Sequence, residues 1–401
     1  MRIIYMSQIT LDIRDSSRIH MIEFSEHFQE LGNEVLMITP TYKRNGHPEY
    51  RFHLKQIYLF RKNALTDLIY ACISPLLLLY HFIRFPADLV YCRGISKTLT
   101  VPFCRLLGIK TVLEINGIVE DELGEKNYRR YLISMIRMIN RFNFKLADGI
   151  IAVTSEIRQR LMDDLRIDGN RIFVVNNGAN VDLFKPLNMA ECRQRLGLGL
   201  SAFYVGFVGV FAPYHGIERL IDAAAALKAQ GYEHVKFLLV GGGEAGFMSR
   251  LEQLMDQHAV RNFFHLTGRV DYSSIPAYIN CFDVCIAQYS TFTSAGAGSP
   301  LKIFEYLSCG RPVIVSGNVG ELAHTIVENN AGYVFDQDNS ADLPRTIIQA
   351  YQNRDRLDDL GSNGRALVLK EFSWGKNAER IEEILGGFLN VKRSEVADHE
   401  Y

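Results

Sequence analysis

Short apolar runs alternate along the chain with longer stretches in which apolar positions recur every three or four residues, the two periods expected of strands and of amphipathic helices. In the first half the runs are RIIYMS (2–7), EVLMIT (34–39), DLVYCR (88–93), TVLEIN (111–116), GIIAVT (149–154) and RIFVVNNG (171–178). A second series starts at FYVGFVG (203–209) and continues through VKFLLVGGG (235–243), FFHLTGRV (263–270), VCIAQY (284–289), PVIVSG (312–317) and GYVF (332–335). Strand and helix in strict alternation predict parallel βαβ units, and two such series predict an α/β chain of two doubly wound, Rossmann-like domains. Pro and Asn punctuate the pattern in DLFKPLN (182–188), which marks the join. The expected divisions are 1–184, 185–370 and a closing segment 371–401, whose tail after Asn390 is polar and frayed.

Two helical stretches have unusual faces. LIYACISPLLLLYHFI (68–83) is uncharged between Asp67 and Arg84, shorter than the ~20 residues a membrane span needs, and interrupted by Pro75. It is expected to be a buried or membrane-grazing helix. YRRYLISMIRMINRFNFK (128–145) is basic without an acidic residue; at helical spacing Arg130, Ser134, Arg137, Arg141 and Lys145 share one face, and Leu132, Met135, Ile136, Ile139 and Phe142 another. That basic face is either an ordinary solvated surface or a contact for anionic lipid or a pyrophosphate-bearing acceptor.

Composition narrows the setting. At 401 residues the chain exceeds what one core usually fills. A net charge of -1 leaves no basic excess to neutralise nucleic-acid phosphates, so no nucleic-acid partner is expected. The seven cysteines are scattered and mostly set in apolar runs, as buried free thiols of a reducing cytoplasm would be; Cys281 and Cys285 lack the second cluster a zinc site needs. MRIIYMS is a first strand rather than a signal peptide, so a cytoplasmic protein is expected, with the inner face of a membrane as its possible workplace.

Gly241, Gly243 and Gly246 fit G-x-G-x-x-G after an apolar run, the dinucleotide fingerprint. That site also needs a carboxylate ending the next strand, where FFHLTG has Thr267 and Gly268, and the fingerprint here follows the domain's second strand instead of its first. NAD and FAD are therefore set aside. The glycines are expected to form a tight turn lining the floor of a ligand pocket, with Gly241 and Gly242 close to the ligand.

The surrounding residues favour a nucleoside diphosphate. Gly209 and Gly216 flank a loop entering a helix, whose orphan N–H groups and dipole attract phosphate. Arg269 follows a strand. In GSPLKIFEYLS, Ser299 and Pro300 open a helix beside Leu301, Lys302 lies in its first turn and Glu305 three residues on. A carboxylate there can accept two vicinal ribose hydroxyls, and a lysine one turn earlier can neutralise a diphosphate. The plainer alternatives are a solvated Lys302 and a Glu305 used as a capping-box partner of Ser299 or as an ion pair with Lys302.

In this order VVNNGANVDLFKP, FVGVFAPYHGIERLIDA, FLLVGGGE, FHLTGRVDYSSIPAYINCFDVCIA, SPLKIFEYLSCGRPVI and ENNAGYVF resemble the retaining nucleotide-sugar glycosyltransferases of the GT-B fold, family four. RIHMIEFSEHFQELGNEVLMITP and ADGIIAVTSEIRQRL extend the likeness through the first half. The resemblance implies two Rossmann-like domains facing across a cleft, the C-terminal helix returning to the first, the acceptor held by the first domain and the donor by the second. It implies no cofactor beyond a UDP- or GDP-sugar substrate, a saccharide or lipid-linked acceptor, and a role in cell-envelope polysaccharide or lipopolysaccharide synthesis.

The departures from the family pattern are specific. Glu305 matches the second glutamate of its E-x7-E motif, but the first falls at Ala297. The Arg and Lys that would hold the diphosphate fall at Val210 and His215, and the N-domain histidine at Asn116, which hydrogen-bonds but does not titrate and is otherwise a turn residue before Gly117. Lys302 and Arg269 are then the expected fixed charges, with His215 charged only if a diphosphate raises its pKa, and base contacts come from the backbone of Gly268 to Val270. Lys302, Asn116 and His215 are the expected catalytic residues. No D-x-D motif is assigned to a strand end, so transfer without a metal is expected. Same-face attack, with the leaving phosphate taking the acceptor's proton, dispenses with a protein nucleophile. A sugar-nucleotide epimerase or hydrolase and a non-catalytic binding protein are the alternatives.

Overall fold

The computed structural model describes residues 1–13, 15–43, 50–62, 64–94, 99–117, 130–290 and 298–397. The chain divides into two compact units, Met1–Asn177 with the chain from Trp374 onward, and Gly178–Ser373.

The first unit carries a seven-stranded sheet in the order β3-β2-β1-β4-β5-β6-β7: β1 (Arg2–Ser7), β2 (Glu34–Thr41), β3 (His53–Tyr58), β4 (Leu89–Arg93), β5 (Lys110–Ile115), β6 (Gly149–Ala152) and β7 (Ile172–Val174). Every described pairing in it is parallel. β1, β4 and β6 are almost continuously buried, as strands covered on both faces by helices must be. β3 was not foreseen: at the sheet edge its HLKQIY is half exposed and lacks an apolar run.

The second unit has a six-stranded parallel sheet, β10-β9-β8-β11-β12-β13: β8 (Phe203–Phe211), β9 (Val235–Gly243), β10 (Phe264–Leu266), β11 (Val284–Ala287), β12 (Val313–Ser316) and β13 (Gly332–Phe335). Alternate residues of β8 enter separate cores on its two faces, Tyr204 and Val208 one, Val205 and Phe207 the other.

Both unit boundaries differ from the expected 184/185 and 370/371 for a packing reason. Phe184 is wholly buried in the second unit's core, Ser308 Oγ donates to its carbonyl at 2.6 Å, and the Leu187 N–H donates to Asn280 Oδ1 at 2.8 Å. The Asn-rich segment after Gly178 therefore belongs to the second unit. The Trp374–Ala397 helix returns to the first, where Ile381 and Leu385 join Phe24 and Phe28 of the Ser16–Glu30 helix in one core. Asn33 Nδ2 donates to Glu382 Oε1 at 2.7 Å and Asn377 Nδ2 to the Asn176 carbonyl at 2.8 Å, fixing that helix at both ends of its buried stretch.

Candidate functional site

In a doubly wound sheet a ligand crevice opens beyond the carboxyl ends of the strands where the order reverses. In the second unit that point lies between β8 and β11, and the sequence-predicted residues gather beside it. β8 runs through Gly209 and Val210 to Phe211, pairing along its length with β9 as far as Gly243. Gly241 to Gly243 are thus strand, correcting the expected turn; the helix Ala245–Gln257 starts only after Glu244. The reason is steric. Gly241 sits at φ 138°, and a Cβ there would stand 1.9 Å from the Gly209 carbonyl oxygen; at Gly243 it would stand 2.4 Å from that of Phe211. Two of the fingerprint glycines are fixed by strand-to-strand approach, while Gly246 has open space around it.

The Gly241 N–H donates to the Gly268 carbonyl at 3.0 Å, so the Gly268–Val270 loop is pinned to the end of β9. Arg269 is exposed and runs its stem past Gly242, while Val270 packs on the core. Beyond β8, the turn Pro213–His215 leads to Gly216 in the left-handed region at φ 58°, the N-cap of the Ile217–Ala229 helix, whose first turn has no side-chain cap. Val210 is half exposed beside this turn and contributes no polar group.

Lys302 lies in the first turn of the Leu301–Ser308 helix, capped by Pro300 without a side-chain bond; Ser299 and Leu301 are buried around it. Its Nζ sits 3.4 Å from His215 Nε2, 4.3 Å from the Phe207 ring centre and 5.7 Å from that of Tyr289. Lys302 is therefore partly buried rather than fully solvated. Burial lowers its pKa to about 7, opposed by the Glu305 carboxylate. His215, ringed by Phe207, Tyr214 and Tyr289, is driven down to about 2 by burial and by Lys302, against a hydrogen bond with the Gln288 backbone, and is neutral. The capping-box role of Glu305 is also excluded, because the helix begins at Leu301; Glu305 is buried and accepts from Tyr272 Oη at 2.9 Å.

Sequence reasoning missed Phe207, Tyr272, Gln288 and Tyr289. Gln288 is fully buried beyond β11, its Nε2 donating to the Gly216 carbonyl at 2.7 Å and its Oε1 without a partner. A polar residue ending an apolar strand run was the available signal. Ala297 lies outside the described residues. Asp336 and Asp338, directly after β13, do form a D-x-D that the sequence reading overlooked. Asp336 Oδ1 accepts from the Asp338 N–H at 2.8 Å in a local turn, and among the described residues no three His, Cys, Asp or Glu side chains are grouped to hold a metal. All seven cysteines are free, with Cys72 exposed rather than buried.

Asn116 stands in the first unit, just past β5. Its Nδ2 donates to Glu114 Oε1 at 2.7 Å, which leaves Oδ1 as an unpartnered acceptor. Glu114 pairs with Arg93, accepts from Tyr91 Oη at 2.7 Å and lies 3.1 Å from His20 Nε2. This buried network at the ends of β4 and β5 was not legible, because Arg93 and Glu114 read as parts of two separate strand runs.

Two units, each built on a parallel sheet with its helices, have the architecture of the GT-B fold. Residues 188–367 match the family model for Glycosyl transferases group 1, and residues 18–183 that for Glycosyltransferase Family 4. The chain belongs to this glycosyltransferase family. It is 27% identical over 251 residues to an uncharacterised glycosyltransferase of Methanocaldococcus jannaschii, and 28% identical over 239 to a D-inositol 3-phosphate glycosyltransferase of Rhodococcus jostii. Those matches take in 61% and 59% of this chain and 62% and 52% of the relatives, so they span less than two thirds of either relative's length. The fold matches sucrose-phosphate synthase of Thermosynechococcus elongatus with a TM-score of 0.80 at 18% identity, covering 98% of this chain and 100% of that one. It also matches Anabaena HepE in complex with UDP-glucose, with a TM-score of 0.74 at 18% identity over 96% and 100% of the two chains.

Proposed function

We propose that this protein moves a sugar, with retention, from a UDP- or GDP-linked donor to a glycan or lipid-linked saccharide at the cytoplasmic side of a membrane. The second unit takes the donor and the first the acceptor, and the basic 128–145 helix meets the membrane. The observation that carries this is the placement of Lys302 against His215 and Gly209, one turn of helix from the buried Glu305. The HepE complex with UDP-glucose supports the uridine donor.

Breaking the glycosidic bond adds a third negative charge to the departing diphosphate until the acceptor's proton arrives. Stabilising that charge is the main catalytic demand. Protonated Lys302, the uncapped N–H groups after Gly216 and the Arg269 guanidinium supply positive potential without a metal. Glu305 holds the ribose hydroxyls. The acceptor hydroxyl attacks on the face the phosphate leaves and passes its proton to that phosphate, so no side chain forms a covalent intermediate. Asn116 offers Oδ1 as a hydrogen-bond acceptor for a hydroxyl, not as a base.

The test has two stages. A thermal-shift panel of UDP, GDP, ADP and dTDP identifies the base by stabilisation of the folded chain. Transfer is then followed with the matching nucleotide sugars, and Glu305→Ala and Lys302→Ala are each expected to lower turnover at least ~100-fold, about 2.7 kcal/mol. Unchanged activity in both rejects the site. Donor consumption without acceptor identifies a hydrolase or epimerase instead, and nucleotide binding without any turnover identifies a non-catalytic binding protein.

A further inference from the structure

The first sheet runs β1, β4, β5, β6 in one direction, so the crossovers β3 to β4, β4 to β5 and β5 to β6 place three helices on one face. These are Ala64–Arg84, Thr100–Leu106 and Arg130–Leu146, and the middle one packs against both others. The layer has two unlike sides. Inward, Tyr70 Oη donates to the Ser7 carbonyl at 2.8 Å, Ser74 Oγ lies 3.3 Å from Thr100 Oγ1, and Leu78, Ile136 and Asn140 are buried.

Outward, apolar side chains face solvent on all three helices. Leu76 is 66% exposed, Ile83 70%, Leu106 82% and Met138 67%, with Tyr80 and Phe142 about half exposed. Leu76, Tyr80 and Ile83 recur at helical spacing, as do Met135, Met138 and Phe142. Met135, Ile136 and Phe142 were expected to share one apolar face; the structure divides them, with Ile136 buried beside Asn140 and Asn143 while Met135 and Phe142 are exposed. An exposed apolar area spread over three adjoining helices marks an interaction surface.

Its charge says what it meets. The three helices carry Arg84, Arg105, Arg130, Arg137, Arg141 and Lys145 against one acidic residue, Asp67, in a chain whose net charge is -1. The Arg84 guanidinium lies 3.8 Å above the Tyr80 ring, an amphipathic pair of the kind that sits at a lipid headgroup boundary. A second copy docked about a two-fold axis would bring like charges together. Ala64–Arg84 includes a stretch long and apolar enough to cross a membrane, but its inner face is bonded to β1 and to the neighbouring helix, so it lies along a surface.

We propose that the outer face of these three helices docks on an anionic phospholipid bilayer, with Leu76, Ile83, Leu106 and Met138 entering the acyl boundary and Arg137, Arg141 and Lys145 on the headgroups. This extends the membrane contact proposed for the 128–145 helix to a whole helical layer. It is tested without donor or acceptor, so it stands or falls apart from the transferase reaction.

The experiment is co-sedimentation of the full chain with vesicles of phosphatidylcholine, alone or mixed with phosphatidylglycerol. Wild-type protein is expected to pellet with the mixed vesicles and to be released by salt. Leu76→Glu with Ile83→Glu should reduce binding to both kinds of vesicle about 10-fold, and Arg137→Gln with Arg141→Gln should remove the preference for phosphatidylglycerol by about the same factor. Unfolding midpoints and nucleotide-induced shifts at wild-type level show that the variants are folded. No pelleting with mixed vesicles, or wild-type binding by both variants, overturns the proposal. So does a wild-type dimer in light scattering that the Glu variant converts to monomer, which gives the face to a second copy.

Discussion

Lys302 Nζ lies 3.4 Å from His215 Nε2 above the Phe207 ring, so two basic groups share one apolar corner and only one proton is readily held there. Burial brings Lys302 to about 7 and His215 to about 2. A bound diphosphate restores an anionic partner to Lys302 and raises its pKa again. Above pH 7 the free site is largely neutral and the occupied one protonated, so nucleotide binding takes up close to one proton. Affinity should hold steady below about pH 7 and fall above it, by up to tenfold per pH unit until the bound-state pKa is reached. Calorimetry in buffers of different ionisation enthalpy measures the uptake. Lys302→Met should abolish both the uptake and the pH dependence; a proton release in the wild type would contradict the assignment.

Three glycines of the 241–246 stretch separate by experiment. Gly241→Ala places a Cβ 1.9 Å from the Gly209 carbonyl oxygen at φ 138°, combining a backbone clash with a disfavoured conformation, and should cost about 2 kcal/mol or more. Gly242→Ala meets only the Arg269 Cγ at 3.6 Å, an ordinary contact, and Gly246→Ala in the Ala245–Gln257 helix meets nothing within 4 Å. The second should leave stability unchanged, and the third should raise it by roughly 0.5–1 kcal/mol through helix propensity. Thermal unfolding of the three variants decides the matter. Equal losses at all three positions would mean the glycines answer to something other than strand packing.

What the sequence disclosed depended on how local the cause was. β1 coincides with RIIYMS because a strand buried on both faces writes itself as an apolar run; the edge strand β3 writes nothing comparable. SPLKIFE announced Lys302 and Glu305 since a helix start fixes their spacing. The neighbours that set their chemistry, Phe207 and Tyr289 beside Lys302 and Tyr272 beside Glu305, come from other elements and meet them only through the strand order β10-β9-β8-β11. Hence the pattern gave Lys302 its place but not the burial that lowers its pKa to about 7. The same limit hid the partners of Asn116: Arg93 and Glu114 lie in adjacent strands β4 and β5, registered directly opposite each other.

That pair sets the first unit's behaviour in acid, and the chain's one tryptophan reports it. Trp374 meets the His20 ring edge-on at 4.9 Å, and His20 Nε2 lies 3.1 Å from Glu114 Oε1. His20 is lowered to about 3 by burial and by Arg93, against the pull of Glu114. Burial alone would raise the Glu114 pKa, but Arg93, His20, Asn116 and Tyr91 together hold it below the usual carboxylate value. For His20 the unfolded chain binds the proton at about pH 6.5 and the folded chain only near 3, so stability falls as pH drops between those values. Glu114 acts in the same direction at lower pH, its contribution present above the unfolded pKa of ~4.3 and lost as the carboxylate is protonated. Urea midpoints followed by Trp374 fluorescence should therefore fall from about pH 6.5 downward. His20→Gln retains a donor for Glu114 but cannot titrate, and should flatten that fall above about pH 4.5. Glu114→Gln strands the buried Arg93 and should cost about 3–5 kcal/mol at neutral pH. A midpoint that falls as steeply in His20→Gln as in the wild type would place the acid response elsewhere.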